Sequence, residues 1–233
     1  MQISAISPFR YLLSLFFFLS VISACQREAG TGSGLPIDNP TPVTIGMRGI
    51  VVDDQNQPVA GAAVKCGTAT TTTDRYGIFS FAGISVPGNN AYIQVEKAGY
   101  FTGHRSFVPV SKRVHPVRVQ LQPKIIVGTV DAATGGQVAL TSGATVQLPA
   151  NAVVNAAGTL YTGPVQVSAT WINPQATNLP DIMVGDLRGI TTDGTERGLM
   201  TYGMLGVELT GASGKALQLA AGKKAKLQFP LPF

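Results

Sequence analysis

Hydrophobic and polar positions alternate with a period of two along most of this chain, and no long stretch holds the 3.6-residue spacing of an amphipathic helix. Ile78-Phe79-Ser80-Phe81 and Ala91-Tyr92-Ile93-Gln94-Val95-Glu96 alternate as half-buried strands do. Val114 to Leu121 places Val117, Val119 and Leu121 on one face. Gly49-Ile50-Val51-Val52 is a short apolar run, stopped by the turn formers Asp53-Asp54-Gln55-Asn56-Gln57-Pro58. Extended structure resumes from Val59 to Val64. Thr68 to Thr73 is β-branched but polar, which suits an edge strand, and Asp74-Arg75-Tyr76-Gly77 reads as a turn. Strands at this spacing predict a sandwich of about seven strands.

A second β pattern begins after Pro123 with no linker between. Gly136 to Leu140 and Ala144 to Pro149 alternate, and Ala150 to Val154 follows. Tyr161 to Trp171 contains the longest strand, Met183 to Leu187 reads as a loop, and Leu199 to Leu209 and Lys224 to Phe229 supply further strands. The expected fold class is therefore all-β, with two tandem β-sandwich domains over residues 44–123 and 124–233.

The opening residues have a different pattern. Arg10 precedes an apolar run from Tyr11 to Ile22, about twelve residues, where a membrane-spanning helix needs roughly twenty. That length fits a signal-peptide core. The run ends in Ile22-Ser23-Ala24-Cys25, which resembles the lipobox of bacterial lipoproteins: an aliphatic residue, two small residues and an obligatory cysteine. The resemblance implies cleavage after residue 24 and lipid attachment at Cys25. Two or more acyl chains anchor a protein stably where one does not. The partner implied is thus a membrane, reached through lipid on Cys25. Residues 25–43, with Gly-Thr-Gly-Ser-Gly followed by Pro36, Pro40 and Pro42, read as a flexible tether. Gln26 occupies the place where an aspartate retains some lipoproteins at the inner membrane, which favours the outer membrane, on its periplasmic face or at the cell surface.

Each half of the body also resembles a known domain. Gly49 to Asp53, Pro58 to Val64, Thr73-Asp74-Arg75-Tyr76-Gly77-Ile78-Phe79-Ser80-Phe81 and Lys97-Ala98-Gly99-Tyr100 together resemble a carboxypeptidase regulatory-like domain, a transthyretin-like sandwich. That family accompanies metallocarboxypeptidases but carries none of their zinc ligands, so the resemblance implies no peptidase activity. Val146 to Ala152, Gly158 to Val167, Met183 to Leu187, Tyr202-Gly203-Met204 and Val207-Glu208-Leu209 resemble the β domain shared by ankyrins, netrin receptors and cartilage intermediate layer proteins. In that family a further strand or hairpin follows the position of Pro230, so the resemblance implies a second domain incomplete at its C-terminus.

Composition narrows the chemistry. Charged residues make up only 12% of the chain, as is common in exported β proteins. The formal charge is +5, and loss of Arg10 with no acid leaves +4. Lys223, Lys224 and Lys226 form the densest cluster, without interleaved aromatics, so no nucleic-acid partner is expected and solvated strand faces are. With Cys25 lipidated, Cys66 has no disulfide partner and reads as a buried, inert thiol. His104 and His115 fit no zinc spacing and read as exposed strand or loop residues. Asp53, Asp54, Asn56 and Asp74 offer oxygens without the spacing of a calcium loop, so they read as turn residues. Gly135-Gly136 and Gly211 to Gly214 sit in hairpin contexts and lack the lysine of a phosphate loop, and Ser142 and Ser213 lack a nucleophile setting. Trp171 reads as a core anchor. No catalytic, metal or cofactor residues emerge, and no enzyme or cofactor is expected. The function expected is a non-catalytic binding or scaffold lipoprotein of the cell envelope, with an envelope protein or a glycan as candidate partner. A carbohydrate-binding accessory role is the alternative, and it would use exposed rings such as Tyr76, Tyr92 or Tyr100.

Overall fold

A computed structural model describes residues 40–230, so the signal segment, Cys25 and most of the tether lie outside the described residues. The fold is an all-β sandwich architecture with two hydrophobic cores. The first is built by β1 (Pro42–Val52), β2 (Ala63–Cys66), β3 (Ala69–Thr72), β4 (Ile78–Pro87), β5 (Ala91–Glu96), β6 (Gly103–Phe107) and β7 (Val114–Gln120). These seven strands form two sheets, β4-β1-β7 and β3-β2-β5-β6. β3 is the edge strand its threonines suggested, and β1 and β7 run parallel, the other pairs antiparallel.

Strand alternation supplies the first core directly. Ile45, Met47 and Val51 of β1, Ala91, Ile93 and Val95 of β5, and Val117, Val119 and Leu121 at β7 are all buried. The phase of β4 changes partway: Phe79 and Phe81 point inward, then Ile84 and Val86. The cause is a bulge, because Ile45 pairs with Ile84 but Met47 pairs with Phe81, so three steps on β4 oppose two on β1. Gly77 (φ +72°) supplies the left-handed turn residue before β4. β1 starts at Pro42, earlier than the tether boundary at residue 43 suggested. Pro42, Val43 and Thr44 pair with Pro87, Val86 and Ser85. A proline is tolerated there because the first strand residue need not donate to the ladder. β6 is absent from the sequence pattern, since Gly-His-Arg-Ser-Phe shows no apolar alternation.

The second core lies between sheets β9-β10-β17 and β11-β16-β15-β12-β8. Its strands are β8 (Ile126–Asp131), β9 (Gly136–Ala139), β10 (Thr145–Leu148), β11 (Val153–Asn155), β12 (Pro164–Ile172), β15 (Met204–Gly211), β16 (Ala216–Leu219) and β17 (Lys226–Gln228). A one-turn helix α1 (Leu179–Ile182) and the separate hairpin β13 (Arg188–Ile190) and β14 (Glu196–Gly198) fill the long connection between β12 and β15. Val165, Val167 and Ala169 of β12 face the core. Trp171 continues that face but is only half-buried and lies outside the closed cluster, so it does not anchor the core.

Candidate functional site

The segment around α1 ties the second core to the first. Arg118 reaches Asp181 at 3.3 Å, Arg105 donates to the Pro180 carbonyl, and Asn178 donates to Gln120 Oε1. Gln120 shares the outer face of its sheet with Arg118, by alternation with Val117 and Val119. It is nevertheless only 4% exposed, because the following half of the chain covers it. Its amide also donates to the Asp53 carbonyl at 2.9 Å, so both ends of this buried amide are satisfied. Lys124 Nζ meets Glu208 at 2.6 Å, a partly exposed pair that fixes the start of the second half against β15.

Beside these contacts lies a cleft of about 410 Å³. Phe101, His104, Gln120 and Gln122 line one wall, and Thr170, Ile172, Ile182, Met204 and Glu208 the other. In the ladder, Trp171 pairs with Leu205 and Ala169 with Val207, so those side chains face the second core. Met204, Gly206 and Glu208 must then project from the opposite face, into this cleft. Phe101 approaches at Gly206, where a Cβ would sit 3.7 Å from its ring. The cleft is mostly apolar with a few convergent polar groups, the usual make-up of a ligand site at a junction of modules. The sequence marked neither Phe101 nor Gln120, and it marked Met204 and Glu208 only within the family resemblance of the second domain, not as site residues. The one available signal was a glutamine beside apolar residues at the end of β7.

The residues that the sequence did single out are dispersed. Cys66 is buried in the first core, and burial pushes its thiol upward, as expected of an inert cysteine. The Asp53 carboxylate accepts the N–H groups of Gln55 and Gln57, and that of Asp74 accepts those of Tyr76 and Ile78. The Asn56 side-chain oxygen takes a hydrogen bond from Arg118 at 2.7 Å. These side chains therefore hold turns. Tyr76 and Tyr92 are exposed, with the Arg75 guanidinium 4.6 Å from the Tyr76 ring centre. Tyr100, expected to be exposed, instead packs against the first core, so the three rings form no common platform.

The histidines are half-buried, which corrects the expectation of exposure, because an aromatic ring covers each. His115 lies 4.8 Å from the Phe107 ring centre and accepts the Val110 N–H at 3.0 Å. His104 stacks on Tyr92 at 5.5 Å, and its Nδ1 pairs with the tyrosine hydroxyl. Burial lowers the His104 pKa from its ordinary 6.5, against a weaker upward pull from Glu96. A base with a depressed pKa stabilises the fold as the neutral form. That contribution is complete above the ordinary value and is lost as pH falls through the folded value. Melting temperature should therefore drop between pH 7 and 5 more steeply for the native protein than for His104→Phe. Equal slopes would show that His104 is not the titrating group.

No protein-family model matches the chain. Human cartilage intermediate layer protein 2 is 38% identical over 78 residues, which is 34% of this chain and 7% of that protein. Among solved structures, one similar chain is from Bacteroides fragilis, described as a membrane-associated protein of unknown function. It has 11% identity and a TM-score of 0.29, covering 82% of this chain and 99% of that one. A streptococcal ancillary pilin has 13% identity and a TM-score of 0.27, covering 81% and 59%. Among the described residues no helix is long and apolar enough to cross a membrane.

Proposed function

We propose that this chain is a non-catalytic binding or scaffold module, held at the outer membrane of a bacterial cell by lipid on Cys25. Its two sandwiches, resembling the regulatory-like and ankyrin-type β domains, would then stand off from the bilayer on the tether of residues 26–41. The observation that carries the binding role is the junction cleft. Its walls are mostly apolar, and its ionisable groups already have partners: Glu208 with Lys124, and His104 with Tyr92. Such a surface holds a ligand by shape and a few hydrogen bonds, and offers no free acid–base pair to transform it. The lipobox pattern and the short apolar leader support the anchor.

Fractionation tests the anchor. The native protein should sediment with membranes, and Cys25→Ala should appear in the soluble fraction with an unchanged far-ultraviolet circular dichroism spectrum. A native protein recovered in the soluble fraction would remove the lipid-anchor reading. Protease added to intact cells then sorts the two faces. Digestion places the body at the surface with extracellular partners, and protection until lysis places it in the periplasm.

A further inference from the structure

The outer face of sheet β4-β1-β7 is cationic. Its three strands contain no aspartate or glutamate. By alternation with the buried Met47 and Val51, Arg48 and Ile50 lie on the outer face of β1, the central strand. The ladders set Ser80 and Pro116 on either side of Arg48, and Ile78 and Arg118 on either side of Ile50. An open cleft of about 420 Å³ forms over these residues. Ile50, Ile78 and Pro116 give it an apolar strip, Arg48 and Arg118 rise from the same sheet, and Arg105 of β6 and Asp181 of α1 join them.

The three guanidiniums differ in how they are held. Arg118 meets Asp181 through Nε at 3.3 Å and donates from Nη2 to the Asn56 side-chain oxygen at 2.7 Å, which leaves Nη1 uncommitted. Arg105 gives only Nη1, to the Pro180 carbonyl. These two side chains thus converge on adjacent residues of α1, half-buried and fixed, with donors still to give, because a guanidinium has several N–H groups in a rigid fork. Arg48 is exposed and makes no ion pair or side-chain hydrogen bond among the described residues. Asp181 is the one acid lining the cleft, so three arginines against one carboxylate leave a net charge of +2.

We infer that this cleft binds a phosphomonoester group carried on an organic molecule. Such a group has a charge of about −1.5 to −2 at pH 7 and three strong acceptor oxygens. It therefore matches both the net charge of the cleft and its supply of N–H donors. Arginine recognises oxyanions of this kind through paired donors, and a guanidinium fixed in advance loses little freedom on binding. Arg105 and Arg118 supply that fixed part, and the unpartnered Arg48 moves onto the anion. The strip of Ile50, Ile78 and Pro116 beside the guanidiniums receives the organic part. A singly charged ester leaves part of the positive charge unmatched. The cleft shares no lining residue with the junction cleft, so it adds a second site to the binding module, and it does not depend on the lipid anchor.

The test titrates the Cys25→Ala chain at low salt with phenyl phosphate, phenyl sulfate and inorganic phosphate, following backbone amide resonances. Phenyl phosphate should bind saturably and shift resonances of β1, β7 and α1. It should bind roughly fivefold or more tightly than phenyl sulfate, which has a similar shape and one charge, and roughly threefold or more tightly than inorganic phosphate, which lacks the ring. Arg48→Gln should weaken phenyl phosphate binding by roughly fivefold or more and leave resonances elsewhere unchanged, because that exposed side chain holds nothing in place. Arg48→Lys, which keeps the charge but not the fork, should lose less. Two further arms separate the sources of the group: glucose 1-phosphate in solution, and vesicles of equal parts phosphatidylcholine and phosphatidic acid. Arg48-dependent binding of glucose 1-phosphate assigns a soluble phosphate ester, and Arg48-dependent binding of the vesicles alone assigns a lipid headgroup. No saturable binding of phenyl phosphate, equal affinity for phenyl sulfate or for inorganic phosphate, or an affinity unchanged in Arg48→Gln would each overturn the inference. So would shifts confined to the junction cleft, or failure of both source arms. Failure of the lipid anchor appears in fractionation and leaves these outcomes unchanged.

Discussion

Gly77→Ala should destabilise the first core by about 2–4 kcal/mol and leave the second nearly unchanged, while Gly135→Ala should do the reverse. Both glycines have φ +72°, where an L side chain is strained, and both lie hard against backbone. A Cβ at Gly77 would sit 2.4 Å from the Val51 carbonyl oxygen, and one at Gly135 2.4 Å from that of Leu148. Neither contact can relax by rotating a side chain, so the turn itself must move. Residues 40–230 form one compact unit, yet they contain two separate hydrophobic clusters. We propose that these clusters are two folding domains, divided near residue 123. Two native probes separate them. In the Cys25→Ala background Cys66 is the sole thiol and is buried in the first core, while Trp171 is the sole tryptophan and belongs to β12 of the second half. In a urea titration Gly77→Ala should expose the thiol at lower denaturant and barely move the tryptophan fluorescence transition. If each substitution displaces both transitions equally, the body unfolds as one cooperative unit and the two-domain division fails.

Thr73→Val should cost about 2–4 kcal/mol, a large effect for the loss of one hydroxyl. Thr73 is 5% exposed. Its hydroxyl accepts the Ala62 N–H at 2.8 Å and donates to the Val59 carbonyl at 2.7 Å, bridging the two sides of the turn before β2. Valine keeps the shape but leaves a buried donor and a buried acceptor unpaired, at about 1–3 kcal/mol each. Thr73→Ser keeps both bonds and should recover most of the stability. The check is the urea midpoint of Cys66 exposure in the three proteins. A valine variant within about 0.5 kcal/mol of the native protein would mean that water reaches the bridge and satisfies both groups.

The amino-acid pattern was a reliable guide wherever a strand has one face in a core and one in water. Ile78 to Phe81, Ala91 to Glu96 and Val114 to Leu121 are such segments, and each became a strand with the expected residues inside. Turn chemistry was equally readable, because Asp53, Asp74 and Gly77 act on their immediate neighbours. The pattern was silent on β6, whose residues do not alternate, and on β8 and β16.

Both candidate clefts were invisible for a different reason. Alternation says that a side chain leaves the core face, but it does not say whether water or another part of the chain meets it. Gln120 and Glu208 are ordinary outward residues in sequence, one buried by a distant segment and the other paired with Lys124. Leu205 and Val207 lie in a segment that reads as a strand, and the narrower facing sheet leaves them half-covered. The sequence by itself determined the all-β class, most of the strands, the turns at Asp53 and Asp74 and the lipid-anchor pattern, since these follow from local spacing and side-chain chemistry. Only the tertiary structure decided which outward faces meet and which inward faces stay open, because those depend on how many strands each sheet gathers from distant parts of the chain.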